Sequence, residues 1–340
     1  TRLPLQVGAS YRRHEDEFTL IRDEPAVYQN RHTSSQFGFD ALTRPALEGG
    51  WDLALGGEIY RDILASNSLG DRGENRGAIF GELVVGGAGA GVLSLGLRED
   101  WHQGFEAFFS PSISGSLRVS PSLRARAAAG RSFRTPTWTE RYYQDPVNVG
   151  NEDLSPERGW SGELGLDVLA HSAFSMALTA FVRNTQDLID WARPDGAPAD
   201  TPWETRNVEE ATFLGFEGDL SARGPLEIRW RLGGMLLSVD PKEEEGFYSK
   251  YALRPMVEQL MVGGERGFGG TANLGINLMR GRREGEDPYY RVDLRGGFRL
   301  GPSWLYLDAT NLLDSGYPDI TGLPAPGRAF YLGLELGGNR

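Results

Sequence analysis

The sequence has no cysteine among its 340 residues. This excludes a disulfide framework, a thiolate zinc site and a cysteine nucleophile. Acidic residues outnumber basic ones, 47 to 35, and give a formal net charge of −12. A nucleic-acid partner is therefore not expected, because phosphate binding needs a basic face. No apolar run reaches the ~18 residues of a membrane-spanning helix, so no such helix is predicted.

Groups that could carry catalysis are scarce as well. No glycine-rich phosphate loop opens a helix, and acidic pairs such as Glu209–Glu210 resemble solvated strand ends. The combination of nucleophile, base and orienting group that an active site needs is not visible, so the sequence predicts no enzyme. The histidines are scattered, and none has a partner at a metal-ligand spacing; they are His14, His32, His102 and His171.

The sequence is rich in alternation between apolar and polar residues. Segments 159–169, 225–236, 290–300 and 330–336 all show it. A period of two indicates strands whose two faces meet different surroundings. A soluble sandwich would also alternate. These segments, however, run for about 11 residues, which is enough to cross a bilayer when tilted, whereas globular strands usually have about 5–6.

The connections between these segments alternate in length. Short turns are predicted at 44–49, 88–90, 120–122, 170–173, 223–225, 265–268 and 301–303. Mostly longer polar loops are predicted at 16–30, 66–76, 99–104, 132–158, 184–206, 240–251, 281–288 and 312–327. The pattern is typical of outer-membrane barrels. We therefore predict an all-β fold, in which residues 1–340 form a transmembrane antiparallel up-and-down β-barrel of about 16 strands, with both ends on the short-turn side.

Aromatic residues near predicted strand ends are expected to form the girdles of such a barrel at the membrane interfaces. They are Trp51, Trp101, Phe105, Trp160, Trp230, Trp304 and Tyr306. The alternative is that aromatics are simply enriched in strands.

The polar loops hold the candidate binding residues. The segment 134–158 contains a group of aromatic and cationic residues: Trp138, Arg141, Tyr142 and Tyr143. This group could bind a ligand by stacking and charge-assisted hydrogen bonds. The alternative is that it packs against neighbouring loops. Tyr248 and Tyr251 are further candidates for ligand binding. No metal ligand is identified. Acidic clusters in 15–24 and 240–245 leave calcium binding open as an alternative to solvated charge, and no other cofactor is expected.

Four stretches resemble TonB-dependent outer-membrane receptors. Residues 131–143 match the family's S-F-x-x-P-x-x-x-E-L-Y, with Arg141 in place of leucine, and 150–164 match G-N-x-x-L-x-P-E-x-x-x-x-x-E. Residues 311–330 resemble the closing N-L-F-D-x-x-Y … P-G-R-x-F, and 207–217 resemble N-x-x-x-A-x-x-x-G-x-E. By this resemblance, the following positions are structural rather than ligand contacts: Gly150, Asn151, Pro156, Glu157, Asn311, Gly327, Arg328 and Phe330.

The resemblance implies active uptake of a scarce nutrient, of the cobalamin or ferric siderophore class, across the outer membrane of a Gram-negative-type bacterium. The compact loops are most similar to vitamin B12 transporters. Outer-membrane lipid, an N-terminal plug domain and the TonB energy complex are the implied partners. A family barrel has about 22 strands around its plug. Since no plug or TonB box is recognised, we expect the C-terminal part of a longer receptor; a plugless, porin-like passive channel is the alternative.

Overall fold

The computed structural model describes residues 4–47, 49–87, 89, 91–169, 174–242, 246–251, 253–320 and 323–337. Apart from a short helix, α1 (Trp138–Tyr142), and a 3-10 turn (Pro225–Glu227), the elements are strands. They are β1 (Leu5–Thr19), β2 (Gln29–Thr43), β3 (Trp51–Ser66), β4 (Arg72–Gly87), β5 (Gly91–His102), β6 (Phe108–Ser120), β7 (Leu123–Arg134), β8 (Asn148–Val149), β9 (Glu157–Leu169), β10 (Phe174–Pro194), β11 (Trp203–Arg223), β12 (Arg229–Lys242), β13 (Phe247–Ser249), β14 (Met256–Phe268), β15 (Ala272–Arg283), β16 (Tyr289–Leu300), β17 (Ser303–Thr310), β18 (Pro318–Ile320), β19 (Leu323–Pro324) and β20 (Ala329–Glu335).

The long strands form one antiparallel up-and-down sheet. Without the short β8, β13, β18 and β19, sixteen strands remain in the described part of the chain, and each pairs with the next one along the sequence. The predicted all-β fold and its strand number are confirmed. Among the described residues, β1 pairs only with β2 and β20 only with β17, so the sheet is open along these two edges. Within the described part of the chain, no helix has the length and hydropathy of a membrane-spanning helix.

Connections of two kinds leave the two ends of the sheet. We call the end that carries 44–47, 49–50, 121–122, 269–271 and 301–302 the turn end, and the opposite end the loop end. The turn predicted at 265–268 is wrong, because β14 continues to Phe268 and the chain reverses at Gly269 and Gly270, which adopt positive φ. The predicted strand 225–236 begins later, at Arg229. Ala88, Ala90 and 170–173, also predicted as turns, lie outside the described residues.

Opposite faces of the sheet differ in chemistry, as the alternation predicts. On the outer face Leu164 is 68% exposed and Leu214 60%, and both belong to a large set of exposed apolar side chains, which indicates contact with lipid or a partner. The inner face carries ion pairs between neighbouring strands. Arg126 of β7, for example, lies 3.3 Å from Asp167 of β9. The sheet thus places apolar groups outside and charges inside.

The predicted aromatic girdle is only partly seen. Trp51 and Trp160 are at least half exposed on the outer face. Trp304 and Tyr306 are not part of it. Along β17 both alternate with Leu305 and Leu307, which face outward. The rings of Trp304 and Tyr306 stack with their centroids 6.1 Å apart. They therefore lie on the inner face, because adjacent residues of a strand point to opposite sides.

The hairpin of β10 and β11 is longer than predicted. Both strands have 21 residues, so most of the predicted loop 184–206 is strand. The reason is a small core at the loop end, where Leu188 and Ala211 pack against Leu253 from the distant connection after β12. β13 also pairs with the loop-end part of β10, at Ala192–Pro194. Tertiary packing therefore extends strands into sequence that looks polar.

Candidate functional site at the loop end

The connection 135–156 between β7 and β9 is folded at the loop end. Helix α1 begins after Thr137, whose hydroxyl accepts a hydrogen bond from the Glu140 N–H at 3.2 Å. The Glu140 carboxylate accepts from the Thr137 N–H at 2.7 Å. This reciprocal capping box satisfies backbone donors at the start of the helix. It explains why a segment of only five residues is helical.

An ion network ties this helix to the barrel wall. Arg134, at the end of β7, donates to Glu140 at 2.8 Å and to Glu157 at 2.7 Å. Glu157 is buried and also accepts from the Ile189 N–H of β10 at 2.7 Å. Burial raises the pKa of Glu140, but hydrogen bonds from Arg134 and Thr137 outweigh it, and the net pKa is lowered. The carboxylate therefore stays ionised and holds the loop near neutral pH.

Gly150 and Asn151 close the same loop. The Gly150 N–H donates to the Tyr143 carbonyl at 2.6 Å, and the Asn151 N–H donates to the Glu140 carbonyl at 2.9 Å. A Cβ on Gly150 would lie 2.8–2.9 Å from the backbone of residues 141–143. Only glycine fits this approach without a shift of the chain. These contacts are packing contacts within the loop.

The second half of the connection is bound to the β10–β11 hairpin. Asn207 of β11 accepts from the Ser155 N–H at 2.9 Å and donates to the Ser155 carbonyl at 2.9 Å. It also donates to the Asp187 carbonyl at 2.7 Å. Leu154, Pro156 and Glu157 are buried beside it. One asparagine therefore joins three segments that are distant in sequence.

The four predicted ligand residues of this loop do not form one cluster. Arg141 and Tyr142 line a cavity of about 770 Å³, together with Arg72 and Arg206. Trp138 does not line this cavity and lies instead beside the Glu74 side chain of β4. Sequence reasoning missed Arg72 and Arg206, because nothing in their local sequence signals the approach of β4 and β11 to this loop.

Tyr143 points to another neighbour. Its hydroxyl lies 2.6 Å from the hydroxyl of Tyr28, in the connection between β1 and β2, and Tyr28 also accepts from the Asn30 amide at 3.2 Å. Burial and this hydrogen bond raise the pKa of Tyr143, so the phenol stays protonated. The pair joins two loops and occupies the hydroxyl that a ligand would need.

The two remaining predicted tyrosines lie in a second aromatic cluster. Tyr248 packs against Trp203, with ring centroids 5.9 Å apart, and Arg254 lies 5.0 Å from the Tyr248 centroid. Tyr251 is 45% exposed beside Lys250. Neither tyrosine lines the cavity next to Tyr142. Both stay candidate ligand residues, at a separate place on the loop end.

The closing motif joins the start and the end of the connection between β17 and β20. Asn311 is buried, has a positive φ of 48°, and donates to the carbonyls of Ser315 and Pro326 at 3.0 and 3.3 Å. Asp314 accepts from the Arg328 N–H at 2.8 Å, and a Cβ on Gly327 would lie 3.0 Å from it. In the same motif, Phe330 is 64% exposed on the outer face.

The acidic clusters, the first of which begins within β1, offer no formed metal site in the described residues. There, no group of three or more histidines, aspartates or glutamates is arranged to hold a metal ion. Glu15 pairs with Arg13 at 2.6 Å and Glu17 with Arg31 at 3.0 Å. Residues 243–245, named above in the acidic cluster 240–245, lie outside the described part. Calcium binding stays a prediction.

Known proteins share both this sequence and this fold. A family model described as "TonB dependent receptor-like, beta-barrel" matches residues 2–312. The vitamin B12 transporter BtuB of Photobacterium profundum is 29% identical over 105 residues, which cover 31% of this chain and 17% of that protein. BtuB of Vibrio cholerae serotype O1 (strain O395) is 24% identical over 259 residues, covering 72% and 39%.

Solved structures agree in fold. The siderophore receptor PirA from Acinetobacter baumannii matches with a TM-score of 0.74 and 16% identity, over 97% of this chain and 59% of that one. The copper transporter OprC matches with a TM-score of 0.77 and 14% identity, over 98% and 62%. This chain spans less than two thirds of each of these proteins. Since the family model matches nearly the whole sequence, the chain belongs to the TonB-dependent receptor β-barrel family and is an outer-membrane protein.

Proposed function

We propose that this chain forms the barrel wall and the ligand-facing loops of a receptor for active, TonB-dependent uptake of a scarce nutrient, either a cobalamin or a ferric siderophore. The observation that carries the proposal is the folded connection 135–156. Arg134, Glu140 and Glu157 fix it to the wall, which places Arg141 and Tyr142 at a cavity. A preorganised loop loses little entropy when it binds a ligand, so this arrangement suits a receptor.

The two faces of the sheet suit the partners we propose. The apolar outer face would contact outer-membrane lipid. The charged inner face would contact a plug domain, which the TonB complex would act on from the turn end. BtuB is a vitamin B12 transporter and OprC is a copper transporter, and we propose transport without catalysis here as well. The passive, porin-like alternative is not favoured, because the chain belongs to a family of TonB-dependent receptors.

Uptake by whole cells tests this function. Host cells with and without the gene would be given radiolabelled cyanocobalamin or a radiolabelled ferric siderophore at nanomolar concentration. We expect gene-dependent accumulation of one of them, and its loss when the proton gradient is collapsed or TonB is deleted. Accumulation that needs the gene but survives both treatments would show a passive channel and overturn the proposal.

A further inference from the structure

Two arginines of the loop-end cavity lie beside one tyrosine ring. The guanidinium carbon of Arg72 is 3.4 Å from the centroid of the Tyr142 ring, and that of Arg141 is 4.8 Å from the same centroid. Arg72 begins β4 and Arg141 belongs to α1, so the fold brings together two cations from distant parts of the sequence. The ring stabilises both charges but neutralises neither.

Neither of these arginines has a carboxylate in direct contact in the described part of the chain. There, no carboxylate oxygen lies within 4.0 Å of either guanidinium, and Glu74 acts on Arg141 only from a greater distance. The Nε of Arg141 is buried without a hydrogen-bond partner. The Nε of Arg72 donates to the carbonyl of Leu69 at 2.9 Å, which satisfies one donor but brings no counter-charge. A guanidinium that contacts no counter-charge is stabilised by an anion that accepts from its N–H donors.

The cavity has room for such an anion. It has a volume of about 770 Å³ and a largely polar wall, to which Arg206 also contributes. Two carboxylates, Glu152 and Glu204, line it as well, but both lie farther than 4.0 Å from the guanidiniums of Arg72 and Arg141. The chain as a whole carries a charge of −12, so an excess of arginine at one cavity is a local departure from its composition.

We propose that Arg72 and Arg141 bind an oxyanion of the transported ligand in this cavity. Guanidinium groups recognise carboxylate, phosphate and similar oxygens through paired N–H donors. The anion is a catecholate if the ligand is a ferric tris-catecholate, and a phosphodiester if the ligand is a cobalamin. This inference rests on the proposed function and adds to it the chemistry by which the loop end holds its ligand.

Binding to isolated outer membranes tests the site. Membranes are prepared from host cells that carry the natural receptor gene or its R72Q, R141Q and R72Q/R141Q variants. The probes are ferric enterobactin, cyanocobalamin and dicyanocobinamide, which has the corrin of cobalamin without its phosphodiester. R22Q is the matched control, because Arg22 is exposed on the connection 20–28 and does not line the cavity. Heat-modifiable gel mobility checks that each variant is folded.

We expect each substitution to weaken binding of the anionic probe about tenfold, as the loss of a charge-assisted hydrogen bond implies. R22Q should bind like the natural receptor, and R141K should retain part of the affinity, because it keeps the charge. A loss for ferric enterobactin identifies a catecholate, and a loss for cyanocobalamin but not for dicyanocobinamide identifies the phosphodiester. Unchanged affinity in the double variant overturns the inference and leaves the receptor function standing. Failure of the natural receptor to bind any of the three probes also overturns the inference, whereas the receptor function is decided by the uptake experiment.

Discussion

Replacing Glu157 with alanine removes the acceptor that joins β7, β9 and β10 at the loop end. The carboxylate accepts from Arg134 at 2.7 and 3.1 Å and from the Ile189 N–H at 2.7 Å. The Arg134 side chain is 41% exposed and retains its ion pair with Glu140, so solvent replaces much of the lost ion pair with Glu157. We assign about 1 kcal/mol to the loss of that pair. Ile189 is only 5% exposed, and leaving its buried N–H without an acceptor costs about 1–3 kcal/mol. The local loss is therefore about 3 kcal/mol.

Hydrogen exchange, measured by mass spectrometry on the receptor in detergent micelles, measures this loss of local stability directly. A change of about 3 kcal/mol makes the protected amides of 135–156 exchange on the order of 100-fold faster. The control is Glu163→Ala on the inner wall, since Glu163 is 46% exposed and 3.5 Å from Arg126. It should change exchange in this loop by less than a few-fold. If Glu157→Ala and Glu163→Ala affect 135–156 equally, the reasoning about the network is refuted.

Three further predictions concern the loops. Gly150→Ala should make 135–156 sensitive to protease, because its Cβ would lie 2.8 Å from backbone, whereas Gly316→Ala, with nothing within 4 Å, should not. Tyr143→Phe loses the hydrogen bond to Tyr28. The pKa of Tyr143 is raised in the folded protein, so the protonated phenol stabilises the two loops fully at pH values below the usual tyrosine pKa of about 10. This stabilisation falls as the pH rises above that value. In the variant, the protection of these loops against hydrogen exchange should therefore no longer fall at alkaline pH. If the pH dependence of protection is the same as in the natural protein, the role given to the Tyr143–Tyr28 hydrogen bond is wrong. Asn311→Ala should destabilise 311–328 by about 2 kcal/mol, seen as faster local exchange; protection equal to that of the natural protein would count against it.

The period of the sequence predicted most of the fold, because each long strand carries its own two-faced pattern. It predicted β9, β16 and β20 to within two residues. It failed where packing decides. The polar sequence of 184–206 reads as a loop, yet Leu188 and Leu253, far apart in the chain, meet in a core that extends the hairpin.

The candidate site was predicted only in part for a related reason. The motif around Arg141 and Tyr142 is visible in the sequence, and the structure brings these two to one cavity. Arg72 lies in no motif, and its approach to the Tyr142 ring depends on how β4 and the connection 135–156 meet in space. Local patterns cannot report such a meeting. The roles of all the predicted ligand residues stay predictions until binding is measured.

The two open edges of the sheet carry a consequence for assembly. Along β1, which has 15 residues, and along β20, one row of backbone N–H and C=O groups has no strand partner among the described residues. In hydrocarbon, each unsatisfied backbone group costs several kcal/mol, and in water such an edge is a template for pairing with other chains. Any stable form of this sheet in a membrane must therefore pair both edges. An unpaired sheet of this kind is expected to aggregate rather than insert.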